Sequence, residues 1–208
     1  VVPVLSHLFR DALADPRYDN PSFGHLADEP LGLLSELAVT GIYPAVPWIA
    51  YLCAGLVIGR LRLSSVRVDA WLLAGGAALA AAASALSARL LGPLGGLDRL
   101  VAVGGSGVVE SVLEFGAPGA TPTTSWWWLA VDARHSSTPL DLLHTIGTAT
   151  ALLGGMLLLT NAPKVGALAR RLVSPLAAIG ALTLTVYLAH IVFLNSPLDR
   201  FGVLTGYL

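Results

Sequence analysis

AWLLAGGAALAAAASALSA, residues Ala70 to Ala88, contains no Asp, Glu, Lys or Arg. Three further stretches share that property: Leu37 to Gly59, Leu142 to Pro163 and Leu172 to Leu198. A helix rises about 1.5 Å per residue and needs roughly 20 residues to cross about 30 Å of hydrocarbon, so each stretch is near or above spanning length. A soluble helix needs a charged face, and none of the four has one. The reading is an all-α integral membrane protein with four transmembrane helices, at about 43–61, 68–91, 139–162 and 174–195. A composition of 55% apolar and 12% charged residues, with a mean hydropathy of +0.73, agrees.

The charges set an orientation. Arg60, Arg62 and Arg67 lie between the first two stretches and Lys164, Arg170 and Arg171 between the last two, where Asp69 is the only acid. Short basic loops mark the cytoplasmic side. The N-terminal segment, the 92–137 loop and the C-terminal tail then face outside, as expected of a multi-pass plasma-membrane protein with four spans. The overall charge of −1 gives no reason to invoke nucleic acid. The chain opens on Val1, and Val1 to Phe9 is too short and interrupted for a signal-peptide core. It reads as the C-terminal portion of a longer protein, part of a larger helical bundle. Cys53, the single cysteine, leaves no internal disulfide.

Two regions follow. Residues 1–40 read as an extracytoplasmic loop, turned by Asp15-Pro16, Asn20-Pro21 and Glu29-Pro30, ending in an interfacial helix from Leu31. Residues 41–208 read as the transmembrane helical domain. Gly76, Ala80, Ser84 and Ala88 recur every fourth residue in the second span, a face that lets helix backbones approach closely, with Gly55 and Gly59 as candidate partners. The 92–137 connection carries a surface or partly re-entrant helix over Leu100 to Phe115, broken by Gly104-Gly105. Trp126, Trp127 and Trp128 then anchor the headgroup interface, or offer a stacking platform for carbohydrate.

Two helix faces are polar within apolar stretches. Asp141, His144, Thr145 and Thr148 fall at i, i+3, i+4 and i+7 in the third span, and Thr183, Tyr187 and His190 at i, i+4 and i+7 in the fourth. Polar groups in lipid are costly and commonly line a wet cavity. His144 and His190 suit proton transfer near neutral pH. Against this, Asp141 is three residues past Thr138 and fits a helix cap, and the threonines can bond their own backbone. His135 stands at the cavity mouth with Asp132 and Arg134. No HxxxH pair or carboxylate cluster supports a metal site.

Gly41-Ile42-Tyr43-Pro44-Ala45-Val46-Pro47-Trp48, followed by Tyr51, Gly55 and Gly59-Arg60, resembles a segment of bacterial membrane proteins related to heparan-α-glucosaminide N-acetyltransferase. So does His135-Ser136-Ser137-Thr138-Pro139 through Gly147, and so does Pro175 to Gly180 with Leu184 to Tyr187 and His190. The resemblance implies an acyltransferase that takes an acyl group from cytoplasmic acyl-CoA, acetyl-CoA in the type case, and delivers it to an extracytoplasmic glycan or glycolipid of the cell envelope. The family's essential histidine lies in an N-terminal half outside this chain, so neither His144 nor His190 is equated with it. The implied site would take catalytic contributions from His144, His190 and Asp141. Substrate contacts would come from Tyr187, Thr145, Thr148, Thr183, His135 and Trp127, with Arg60 beside the acyl-CoA entrance. Its partners would be the bilayer, the acceptor, and the missing N-terminal helices or another membrane subunit. The competing reading is a non-enzymatic scaffold or transporter-associated subunit of envelope assembly.

Overall fold

The computed structural model describes residues 4, 7, 8, 27–41, 44–117, 121–162 and 166–194. The Asp15-Pro16 and Asn20-Pro21 turns, Ile42-Tyr43, Lys164 and the tail beyond Leu194 lie outside them. The described residues are mostly helical, with no strand among them. Two helices are long and apolar enough to cross a membrane, and up to four spans result if each of two bent pairs counts as one. The chain divides into the units Val1–Leu158 and Leu159–Leu208.

In the first unit, α1 (Pro30–Ser35) runs into a π-helical turn (Glu36–Thr40) and is bent by 44° from α2 (Ala45–Gly59). The bend falls where the sequence has Gly41 and Pro44, whose ring and preceding residue both resist helical continuation. The stretch read as a single span from 43 is therefore a 15-residue helix, about 22 Å long. α3 (Val66–Leu91) and α6 (Pro139–Asn161) match the second and third expected spans.

These two long helices pack backbone to backbone. A Cβ built on Gly76 would lie 2.6 Å from the Gly147 carbonyl oxygen, and one on Gly147 would lie 2.6 Å from the Ala80 amide nitrogen. A Cβ on Gly154 would lie 2.8 Å from the Asp69 carbonyl oxygen. As numbering rises along α6 it falls along α3, so the pair is antiparallel. Such a contact gains from dispersion between closely apposed backbones, the kind of packing that small residues permit. The small-residue face of α3 thus meets α6. Gly55 and Gly59, the partners suggested by spacing, have nothing within 4 Å of an added Cβ.

Residues 92–117 and 121–137 fold into a cap over one end of this pair. α4 (Gly96–Gly104) and α5 (Ser106–Phe115) meet at Gly105, whose φ of 79° a side chain would resist, and a 3-10 turn (Trp126–Ala130) follows. Leu100, Val109, Val112, Ala117, Trp128, Val131 and Ala133 make one buried core. The surface or partly re-entrant helix expected over Leu100 to Phe115, with its break at Gly104-Gly105, is two short helices sharing a core of their own. The three indoles have separate fates: Trp128 is fully buried, Trp127 packs half-buried against the core, and Trp126 is 55% exposed.

In the second unit, α7 (Gly166–Ala181) and α8 (Thr183–Leu194) replace the single helix expected at 174–195. The residues from Arg171 to Gly180 and from Thr183 to His190 are inclined by 51°. Pro175 lies inside α7 and withholds one amide from the helix.

Candidate functional site

One turn beyond the glycine contact, towards the cap, α3 presents Ser84 and α6 presents His144. The same close approach that joins Ala80 to Gly147 brings these side chains together. The Ser84 hydroxyl donates to Asp132 Oδ2 at 2.6 Å, and its oxygen lies 3.2 Å from His144 Nδ1. His144 Nδ1 lies 2.9 Å from both Asp132 carboxylate oxygens. The Asp132 side chain is only 11% exposed, whereas that of His144 is 43% exposed. A carboxylate only accepts, so Nδ1 carries the proton in the neutral ring and donates it to Asp132. The lone pair is then on Nε2, which bonds no described residue.

The chemistry this permits is proton acceptance at Nε2, with Asp132 fixing the ring and offsetting the charge of an imidazolium. Ser84 is not the nucleophile of a triad. It shares Nδ1 with Asp132, whereas a hydroxyl activated by this histidine would have to meet Nε2. A group deprotonated at Nε2 would have to come from outside this cluster.

Asp132 is held from both sides. Val131 is fully buried and Ala133 nearly so in the cap core. Ser87, on α3, donates to the Ala130 carbonyl at 2.7 Å, fastening the 3-10 turn to that helix. Thr138 donates to the Val131 carbonyl at 2.6 Å and accepts from the Asp141 amide at 3.1 Å, so one hydroxyl both closes the loop and caps α6. His135 and Ser137 take φ values of 60° and 53°, left-handed positions that cost an L residue about 1 to 2 kcal/mol each and turn the chain sharply into α6. Arg134 reaches the Glu114 carbonyl at 3.2 Å, and its own carbonyl accepts from Ala117 at 2.9 Å, joining this loop to the end of α5.

Asp141 is buried in the cap of α6. Its Oδ2 accepts from the Ser137 amide at 3.0 Å, and Thr145 reaches its Oδ1 at 3.4 Å. Tyr51 of α2 sits beside Thr145. Thr148 is exposed one turn further along α6, and His135 is exposed on the loop. Trp127 stands under the Arg99 guanidinium, 5.7 Å from the ring centre, and packs on the cap core. Arg60 is exposed after α2, in the connection leading to α3. Ser84 lies 18 residues beyond Val66, so the polar cluster is about 27 Å along α3 from that connection.

Thr183, Tyr187 and His190 are exposed on α8, and Thr183 donates to the Gly180 carbonyl at 2.6 Å. They belong to the second unit, and the cluster around His144 belongs to the first. Among the described residues no three His, Cys, Asp or Glu side chains converge as metal ligands.

Two members of the cluster escaped sequence reasoning. Asp132 was placed at the mouth without a partner, and Ser84 was counted as a small packing residue. The available signal was the face itself: if Gly76 and Ala80 meet α6 at Gly147, Ser84 one turn on must meet residue 143 or 144. No protein-family model, no curated protein and no solved structure matches the chain.

Proposed function

We propose that the chain is the acceptor-side portion of a membrane acyltransferase. It would move an acetyl or similar acyl group from cytoplasmic acyl-CoA to an extracytoplasmic glycan or glycolipid of a bacterial envelope. In this reading the four apolar stretches span the plasma membrane, the cap and both ends of the chain face outside, and the Arg60 to Arg67 connection faces the cytoplasm. The observation that carries it is the 2.9 Å contact of Asp132 with His144, which leaves Nε2 open at the cap end of the helices.

The reaction assigns a step to each group. An acceptor hydroxyl or amine attacks the acyl carbonyl, its proton passes to His144 Nε2, the new acyl–oxygen or acyl–nitrogen bond forms, and the bond to the donor breaks. The leaving group then takes the proton from the imidazolium, which returns to the neutral ring donating to Asp132. Arg60 and Arg62 on the connection and Arg67 in the first turn of α3, all exposed, suit the phosphates of acyl-CoA by charge. The resemblance implies that the family's essential histidine lies beyond this chain, and the acyl group would have to be carried the roughly 27 Å from that connection to the cluster by a group outside it. Membranes containing the full-length parent, given radiolabelled acetyl-CoA, should label lipid-linked or cell-wall sugars. His144→Gln should lower that label by about 10²- to 10⁴-fold, the usual worth of a general base. Undiminished transfer by the variant would overturn the assignment.

A second reading draws on the bent α7–α8 pair. Discontinuous helices are a recurring device of transporters, which within the non-enzymatic alternatives favours a transporter-associated subunit over a scaffold. An intact, folded parent that transfers no label would select it.

A further inference from the structure

The cap carries a groove that the proton-transfer step does not use. Between α4 and α5 lies a cavity of about 440 Å³, walled by Leu97, Val101, Val109 and Leu113. Its charged members are Glu110 and Glu114, four residues apart on α5 and both exposed. Val109 is almost fully buried and belongs to the same core as Val131 and Ala133, which flank Asp132. The groove and the acid–base pair are thus mounted on one packed body.

Its position restricts what can fill it. α4 begins at Gly96, five residues after the span-length α3 ends at Leu91, and five residues reach at most about 17 Å. Leu94, Val103, Val108 and Phe115 expose further apolar surface on the same cap. The apolar phase within reach is the bilayer into which α3 is read to insert. The chemistry of the lining is equally selective. Four aliphatic side chains favour an alkyl chain over a free sugar, whereas two carboxylates accept hydrogen bonds from hydroxyls and repel phosphate.

We infer that the groove between α4 and α5 binds the alkyl chain of an outer-leaflet glycolipid with an uncharged, hydroxyl-rich head. This rests on the proposed orientation for the leaflet and on the acyltransferase reading for making that lipid the acceptor; binding itself requires no transfer.

The test uses the full chain in phosphatidylcholine nanodiscs with two photoreactive probes. One is an alkyl β-glucoside with a diazirine in its chain, and the other is the same chain carrying a phosphate head. The glucoside should label residues 97–114, and the phosphate should label them about tenfold less, a 1.4 kcal/mol preference. Leu97→Trp with Leu113→Trp, which fills the groove, should cut glucoside labelling about tenfold. Glu110→Gln with Glu114→Gln, at exposed positions that leave the fold intact, should bring the two probes to within about threefold of each other. Labelling confined to α3 or α6, labelling indifferent to both double variants, or cross-linking of the groove to this chain's own residues 9–26 would each overturn the proposal. Groove labelling in a parent that transfers no acetyl group would sink the acceptor role and leave the lipid site standing.

Discussion

Gly147→Ala tests the contact on which the site depends. The added Cβ would lie 2.6 Å from the Ala80 amide nitrogen and 2.8 Å from the Gly76 carbonyl oxygen, both backbone atoms that cannot rotate away. Ordinary contact begins near 3.4 Å, so α3 and α6 must separate by about 0.8 Å (3.4 against 2.6). His144 sits one turn from Gly147 and moves with α6. The 3.2 Å contact between Ser84 and His144, which joins the two helices directly, would stretch to about 4.0 Å, beyond a hydrogen bond. Overpacking of this kind costs about 1 to 3 kcal/mol, partly offset by the roughly 1 kcal/mol that alanine gains over glycine in a helix. Gly55→Ala supplies the control, because nothing lies within 4 Å of its Cβ. The helix-forming gain is common to both variants and cancels, so Gly147→Ala should be less stable than Gly55→Ala by about 1 to 3 kcal/mol. Reversible unfolding in mixed micelles measures the difference. Equal stability of the two variants would refute the backbone-to-backbone packing and, with it, the register that pairs Ser84 with His144.

Thr138→Ala removes both the cap of α6 and the bond to the Val131 carbonyl, and should cost about 1 to 2 kcal/mol in the same unfolding assay, with Thr138→Ser restoring most of it. Trp128→Ala should lose about 3 to 5 kcal/mol from the cap core, whereas the exposed Trp126→Ala should change stability by no more than about 0.5 kcal/mol; equal losses would contradict a core built on Trp128. In a Cys53→Ser background, a cysteine replacing Arg134 should react with an impermeant maleimide on intact cells, and one replacing Arg67 should react only after lysis. The reverse pattern would invert the proposed orientation.

The long helices were legible because hydropathy counts residues, and α3 and α6 need nothing more than length. Hydropathy carries no information on bending. Leu172 to Leu198 is free of charge throughout, yet two helices meet at Leu182, and the helix before that bend already begins at Gly166. Leu37 to Gly59 is also divided, but there Gly41 and Pro44 make the break legible, and the helix from Leu31 and the span from 43 read as separate elements. Partner choice was misjudged for a related reason. Small residues every fourth position announce a close contact without naming its other side, so Gly55 and Gly59 looked as suitable as Gly147 and Gly154. At the site, His144 stood out as an ionisable group in an apolar helix. Asp132 did not, since its partners lie 12 and 48 residues away in sequence and only the folded cap brings them together. The capping role of Asp141 could be read in advance from the Thr138-Pro139-Leu140-Asp141 order, because its geometry is local.

The acid–base pair is tested most directly by a double-mutant cycle on acetyl transfer in the full-length parent, using Asp132→Asn, His144→Gln and the two combined. If Asp132 works only by orienting and charging His144, each single variant should lose about 10²-fold or more, and the double variant should lose no more than His144→Gln alone. Losses that multiply, or full activity in either single variant, would contradict a joint role for the two residues.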